Sequence, residues 1–282
     1  MKKILTIALL LIAINAQGQG LPVTANATLA SLFPDENLRR VVAEVLGNDA
    51  RLTGQALSDS LARVKRLEVA GPYDDLYARR YLNVYYDNTI SNSSGIEYLI
   101  GLTVLILHST NLTNMTNLCN LINLTNLTVS NNRLTSLDVS ALTNLIELFV
   151  GFNELTSLDV SNLSNLETLS ADFNHLTYID ISNLIHLETL SLSVNRLTDI
   201  NLSNLPNLLT LNVAGNRLTN LDVRSLHNLE YLNIGFTGIT HLNLRYNRRL
   251  AIISYNEEEQ SITFEGLRPN IKFQHYTTLI FF

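Results

Sequence analysis

Five asparagines, Asn132, Asn153, Asn174, Asn195 and Asn216, stand 21 residues apart, and the leucines around them keep the same step. Leu134, Leu155, Leu176, Leu197 and Leu218 follow each Asn by two residues; Leu145, Leu166, Leu187, Leu208 and Leu229 occupy the other end of each unit. Leu127, Leu148, Leu169, Leu190, Leu211 and Leu232 open a short segment of alternating apolar and polar residues. The register runs on to Thr237 and, one residue longer, back to Thr110. Such a period admits few folds, because one unit cannot bury its apolar edge alone and only stacking closes a continuous core. Each unit is therefore predicted to be one coil of a solenoid. The alternation turns every second side chain of the segment inward, as in a half-buried strand.

This is the leucine-rich-repeat pattern. The predicted fold class is an α/β repeat: a leucine-rich-repeat solenoid with a concave parallel β-sheet and an N-terminal helical cap. The array is expected over 67–253, the cap over 24–66, and a degenerate repeat or cap over 254–282. Asp35 after Pro34 reads as an N-cap; Leu38, Val41, Val42, Val45 and Leu46 fall on one helical face, and Gly47 closes the helix. A second, shorter helix is expected around Thr53 to Ala62. Near the other end, Ile262, Phe264 and Leu267 sit near the leucine register, although the Asn is lost.

The stretch 71–95 breaks the repeat and reads as an irregular insertion rich in Tyr, Asp, Asn and Ser. Its Tyr73, Tyr77, Tyr81, Tyr85 and Tyr86 either pack locally, the favoured reading, or offer a stacking surface to a ligand.

Ahead of the cap, Lys2 and Lys3 precede the apolar run Ile4 to Ile14, broken only by Thr6, and small residues follow at Ala16 and Gly18. This is the plan of a secretory signal peptide, assigned to 1–18, and the run is too short to span a bilayer. No Cys directly follows it, which argues against a lipoprotein. Secretion or display at the cell surface is expected, without stable membrane insertion after cleavage; the apolar finish Leu279 to Phe282 is also too short to anchor a chain. With Cys119 as the sole cysteine, no intramolecular disulfide can staple an exported chain. Stability must come from aliphatic packing, and 46% hydrophobic residues with no tryptophan are consistent with that. A net charge of −6 with no basic stripe excludes nucleic acid from the expected partners.

Two polar lattices run through the array. A buried Asn amide donates and accepts at once, so the ladder Asn132 to Asn216 is expected to bridge the backbones of successive coils where the chain turns after the strand. The second lattice is Asp138, Asp159, Asp180 and Asp222, with Asn201 and Asn243 at equivalent places. A column of carboxylates could collect Ca²⁺, whereas Asp and Asn also shape turns through local backbone hydrogen bonds. Turn chemistry is favoured, since the G-G-x-G-x-D signature is absent.

With the opening "LFPDENLRRVVAEVLG", the segments "VKRLEVAG" and "GIEYLIGLTVLIL" and the unit "LTSLDVSNLSNLETL", the chain resembles bacterial leucine-rich-repeat proteins of the internalin type from about Thr24 to Ile253. The unit is similar to the 21-residue internalin variety, which often carries Cys inside the strand where this chain has Val150, Ala171, Leu192, Val213 and Ile234. The unit from Thr110 to Asn132 resembles the 22-residue variety. The resemblance implies a secreted or surface, adhesion-like binding protein.

Catalytic signatures are thin: there is no G-x-S-x-G elbow, H-E-x-x-H or phosphate loop. His108, His175, His186, His227, His241 and His275 fall on different coils, with His186 and His227 read as solvent-facing. Cys119 reads as a buried structural thiol. No cofactor or metal site is assigned.

The remaining candidate is the concave face. Phe149 and Tyr231 point outward and are expected to be partner contacts, with Glu147, Glu154 and Asp172 beside them favouring a basic partner. Phe152, Phe173 and Phe236, together with Val194, precede the Asn position; they either pack along the coil edge or extend the contact surface. The functional expectation is a non-catalytic scaffold that binds a macromolecular partner, a protein, through its concave face. The alternatives are a glycan-binding surface protein, or the recognition part of a larger secreted enzyme or effector.

Overall fold

The computed structural model describes residues 24, 26–49, 51–70, 90–115, 117–256 and 261–275. The expected signal peptide, the five insertion tyrosines and Leu279 to Phe282 lie outside them.

The described residues open with three short helices, α1 (Leu29–Leu32), α2 (Glu36–Val45) and α3 (Gly54–Leu61). The Asp35 carboxylate caps α2, with Oδ1 accepting from the N–H groups of Asn37 and Leu38 at 3.0 and 3.1 Å. Its Oδ2 accepts from the N–H groups of Ser91 and Asn92 at 3.0 and 3.2 Å, which pins the cap to the chain ahead of the second coil. At the other end, Gly47 N–H donates to Glu44 O and Asn48 N–H to Ala43 O, a Schellman closure around the left-handed Gly47. Leu38, Val41 and Val42 are buried, but Val45, expected on the same face, is 48% exposed. Its turn is the last before the chain reverses and lies past the packed part of the seam.

Twelve strands follow among the described residues: β1 (Arg66–Ala70), β2 (Val104–His108), β3 (Asn126–Thr128), β4 (Glu147–Phe149), β5 (Thr168–Ser170), β6 (Thr189–Ser191), β7 (Thr210–Asn212), β8 (Tyr231–Asn233), β9 (His241–Asn243), β10 (Ile252–Tyr255), β11 (Thr263–Glu265) and β12 (Lys272–His275). Ten form one sheet in the order β1-β2-β3-β4-β5-β6-β7-β8-β10-β12, while β9 and β11 pair separately on the return run of the last coils. All described pairings are parallel, as a one-handed coil requires. Register follows the leucines: Leu105, Leu127, Leu148, Leu169, Leu190, Leu211, Leu232 and Ile253 pair in sequence, each 0% exposed.

Just before each strand, one carbonyl accepts from two successive N–H groups of the next coil. Thr103 O receives Thr125 and Asn126, Ile146 O receives Glu167 and Thr168, and Glu188 O receives Leu209 and Thr210. Just after each strand the chain turns through left-handed backbone, at Ser109, Asn131, Phe152, Phe173, Val194, Gly215 and Phe236 with φ between 52° and 66°. The turn keeps the ladder intact: Phe152 N–H donates to Asp172 O, and Phe152 O accepts from Asn132 N–H. Asn and Gly adopt this conformation readily; in other residues it costs about 1–2 kcal/mol.

The cap meets the first coil closely. A Cβ on Gly101 would lie 2.0 Å from Ala62 O and 3.1 Å from Val64 O, so only glycine fits against the end of α3.

At the far end the sheet continues to β12 without leucines. Tyr255, Phe264 and Phe273 pack as a triad with ring centroids 5.5–5.7 Å apart. Ile262 and Phe264 pack partly buried against the core. Leu267 departs from its expected register and is 43% exposed, because Ile271 takes the inward place before β12.

In the last coils Asn247 occupies the position filled by Leu226 one coil earlier and is 1% exposed. Its Nδ2 donates to Val223 O and Leu226 O, while Oδ1 is buried without a hydrogen-bond partner among the described residues. Both carbonyls also accept backbone N–H groups, from Leu226 and Leu229. Asn247→Leu restores the apolar row and removes an orphaned acceptor. It is expected to raise stability by about 1–2 kcal/mol, read as a higher denaturant midpoint; a lower midpoint would show that the two amide donations outweigh the orphan.

Candidate functional site

The outward side chains of the sheet form two rows fixed by strand register. One runs Val104, Asn126, Glu147, Thr168, Thr189, Thr210, Tyr231, Ile252 and Lys272; the other runs Ile106, Thr128, Phe149, Ser170, Ser191, Asn212, Asn233, Ser254 and Gln274. The middle of the face is therefore a lawn of small hydroxyl and amide groups. Phe149 and Tyr231 rise from it, both half-buried. They are four strands apart, about 19 Å at the usual strand spacing, and so are separate contact points. Tyr231 is braced by Ser254, whose hydroxyl donates to the phenol oxygen at 3.1 Å.

The acids beside them are engaged within the scaffold. Glu147 accepts from the Asn126 amide. Asp172 Oδ1 accepts from the Ser191 and Ser193 hydroxyls, each at 2.6 Å, and from Ser193 N–H at 2.7 Å, while Oδ2 accepts from the Ser170 hydroxyl at 2.8 Å. These donors carry no countercharge, so the carboxylate fixes two coils together and its negative charge stays on the face.

Phe152 and Phe173 lie beyond the strands, at the trailing edge where the chain leaves the sheet. Their rings stack with centroids 4.2 Å apart and an interplanar angle of 9°, and Phe152 is 46% exposed. Phe236 occupies the same row three coils further on, half-buried.

Beneath this edge runs the Asn ladder. Asn132, Asn153, Asn174, Asn195 and Asn216 are between 4% and 9% exposed. Each Oδ1 accepts from an N–H of the preceding coil, those of Leu112, Leu134, Leu155, Leu176 and Leu197 in turn, at 2.9–3.0 Å. Each Nδ2 donates back to the strand carbonyl of that coil, from Leu107 O through Val129, Val150 and Ala171 to Leu192 O, at 2.8–3.1 Å. Thr237, next in the row, uses its hydroxyl to reach Ile234 O at 2.8 Å.

The second lattice makes one repeated contact. Asp138, Asp159, Asp180, Asn201, Asp222 and Asn243 each accept, through Oδ1, from the N–H two residues on, at 3.0–3.1 Å. Asn performs this as well as Asp, so the turn needs the oxygen and not the charge. The Ser140, Ser161 and Ser182 hydroxyls hold the carboxyls of Asp138, Asp159 and Asp180 below the ordinary carboxylate range. The Arg224 guanidinium draws Asp222 down to about 2. Among the described residues, no three His, Cys, Asp or Glu side chains come together to hold a metal ion.

Cys119 is exposed, contrary to the buried thiol expected of it. It follows Leu118 in a short 3-10 turn that points the leucine inward and its neighbour outward. His186 and His227 are exposed. One row was assigned from sequence only at Glu154: its Arg133, Arg196 and Arg217, two residues past the left-handed turn, carried no role, although the triplet Asn-Arg-Leu recurs visibly at 132, 195 and 216.

No curated protein sequence matches the chain significantly. The profile of a family described as the LVIVD repeat matches residues 148–170 and 171–195, two consecutive coils of the array. Among solved structures, internalin C2 from Listeria monocytogenes strain 4b F2365 is similar over 84% of this chain and 100% of its own, with 24% identity and a TM-score of 0.68. The functional domain of InlJ from Listeria monocytogenes, described as including a cysteine ladder, is similar over 89% of this chain at 24% identity and a TM-score of 0.50. This chain spans 64% of that domain's length. Directly after its strands this chain carries Val150, Ala171, Leu192, Val213 and Ile234, all buried at 0% exposure. The molecule is a leucine-rich-repeat solenoid. Its fold is that of the internalin-type repeat proteins. Among the described residues no helix is long and apolar enough to cross a membrane.

Proposed function

We propose that the protein is an exported, non-catalytic scaffold that binds a protein partner through its concave sheet. The observation that carries this reading is the register-locked face itself: ten parallel strands hold two outward rows in place, and Phe149 and Tyr231 stand out from small polar neighbours. A face fixed in advance loses little conformational entropy on docking, so a few contacts suffice. Half-buried aromatics braced at the base supply most of the energy at such interfaces. Glu147 and Asp172 lend the centre a negative potential that favours basic residues on the partner.

The test compares the protein with a Phe149→Ser, Tyr231→Ser double variant, matched by circular dichroism, in capture from cell-surface extracts and then in titration of the captured protein. At roughly 2 kcal/mol per hot spot, loss of each anchor is expected to weaken binding by about 30-fold and loss of both by up to about a thousand-fold. Equal affinity of the two proteins would remove the concave rows from the reading.

A further inference from the structure

We propose that a cavity on the outer side of the last coils binds a neutral saccharide, with Tyr246 as the ring the sugar stacks on and the Asp222–Arg224 pair as the group that engages its hydroxyls. The cavity lies on the return run, away from the concave rows, and its test is independent of theirs.

The cavity has a volume of about 440 Å³, within the range of small-molecule sites. Asn201, Ser203, Asp222, Arg224, His227 and Tyr246 line it, from three successive coils.

Two of these residues depart from what the repeat uses at the same places. Two residues after Asp138, Asp159, Asp180 and Asn201 stand Ser140, Ser161, Ser182 and Ser203, whereas Arg224 follows Asp222. In the neighbouring row Asn162, Asn183 and Asn204 donate to Ser140 O, Ser161 O and Ser182 O of the preceding coil at 3.5, 3.2 and 3.4 Å, and Ser225 reaches Leu202 O at 3.2 Å. Tyr246 comes next in that row, makes no such contact and is 54% exposed. Ser and Asn serve the scaffold in these rows, and an aromatic ring left half in water gains little from burial. Both departures face the same cavity. Arg245 repeats the change of Ser to Arg one coil on, but its guanidinium pairs with Glu265 at 2.8 Å and does not line the cavity.

The chemistry of the lining decides the ligand class. Arg224 Nε and Nη2 donate to Asp222 Oδ1 and Oδ2 at 2.9 and 2.7 Å, with both side chains 61% exposed. The pair is planar and carries no net charge, so an anion meets Asp222 as well as Arg224, and a cation the reverse. Arg248, one coil past His227, does not line the cavity. Arg224 Nη1 makes no hydrogen bond among the described residues and stands beside the carboxylate oxygens. Donor and acceptor side by side suit adjacent hydroxyls, each of which donates and accepts. The N–H and C=O of one peptide unit point in opposite directions and match such an edge poorly. The Asn201 amide nitrogen and the Ser203 hydroxyl add uncharged groups without a partner among the described residues. The Tyr246 ring completes the set, since its face is apolar and partly negative and suits the C–H face of a pyranose.

The probes are four neutral disaccharides, maltose, cellobiose, lactose and di-N-acetylchitobiose, titrated against the protein by saturation-transfer NMR. Sialyllactose and a capped Gly–Ser peptide are the comparisons. At least one disaccharide is expected to bind, and to bind more weakly by about tenfold or more in Tyr246→Asn and in Arg224→Ser, as for loss of an interface anchor. Both variants install the residue that the repeat uses elsewhere, so the denaturant midpoint is expected to hold. Affinity is also expected to be indifferent to salt and to survive Phe149→Ser, Tyr231→Ser. No binding by any of the four, or unchanged binding in both cavity variants, overturns the proposal. Tighter binding of sialyllactose overturns it in favour of an anionic ligand, and tighter binding of the peptide in favour of a polypeptide.

Discussion

Replacing Asn174 by alanine is expected to lower the stability of the protein by about 3–5 kcal/mol. The side chain is 4% exposed, accepts from Leu155 N–H at 3.0 Å, and donates to Val150 O, Ala171 O and Asp172 O at 3.1–3.2 Å. Truncation leaves Leu155 N–H buried with no acceptor and strips a donor from three carbonyls, at roughly 1–3 kcal/mol for each group left unsatisfied. A denaturant titration with unchanged slope and a lowered midpoint reports the loss. Asn207→Ala is the control. Asn207 also donates to the preceding coil, at Ile185 O, but from an exposed turn where water replaces it. Its effect is expected to stay within about 0.5 kcal/mol. Equal effects from the two substitutions would mean that burial does not set the worth of the ladder.

Gly101→Ala is expected to cost about 3 kcal/mol, the upper end of the usual range for overpacking. All three nearest atoms to the new Cβ are backbone, Ala62 O at 2.0 Å, Ala62 C at 3.0 Å and Val64 O at 3.1 Å, so no side chain can swing aside. The end of α3 must back away from the first coil, opening the contacts of Leu57, Leu61, Leu99 and Leu102, each 0% exposed. Limited proteolysis is expected to cut the variant first between α3 and β1 while the later coils persist. A variant as stable and as protease-resistant as the parent would show that the junction yields without loss.

The strands, their phase and the inward leucines were legible because a 21-residue period and a two-residue alternation act on the same residues. The Asn ladder was legible for a related reason: an amide recurring beside buried leucines has few places to send its hydrogen bonds. What the sequence concealed depends on contacts between coils. Asp172 looks like a surface acid until Ser191 and Ser193, on the following coil, are seen to close around it. The left-handed turns at Phe152, Phe173 and Val194 run against local preference and are imposed by ladders on both sides. The continuation of the sheet into β12 carries no leucine, and aromatic packing holds its place. Val45 and Cys119 show the limit of periodicity, which says which side of an element a residue takes but not whether anything covers that side.

The seam of shared carbonyls ahead of each strand asks nothing of the side chains that bear it. Thr103, Thr125, Ile146, Glu167, Glu188, Leu209 and Glu230 each present one carbonyl to two N–H groups of the next coil, and their side chains differ in charge, size and polarity. Each coil therefore offers its successor the same attachment whatever its surface displays. Growth or shortening of the molecule by whole coils, and revision of its outer chemistry, are thereby decoupled in this architecture.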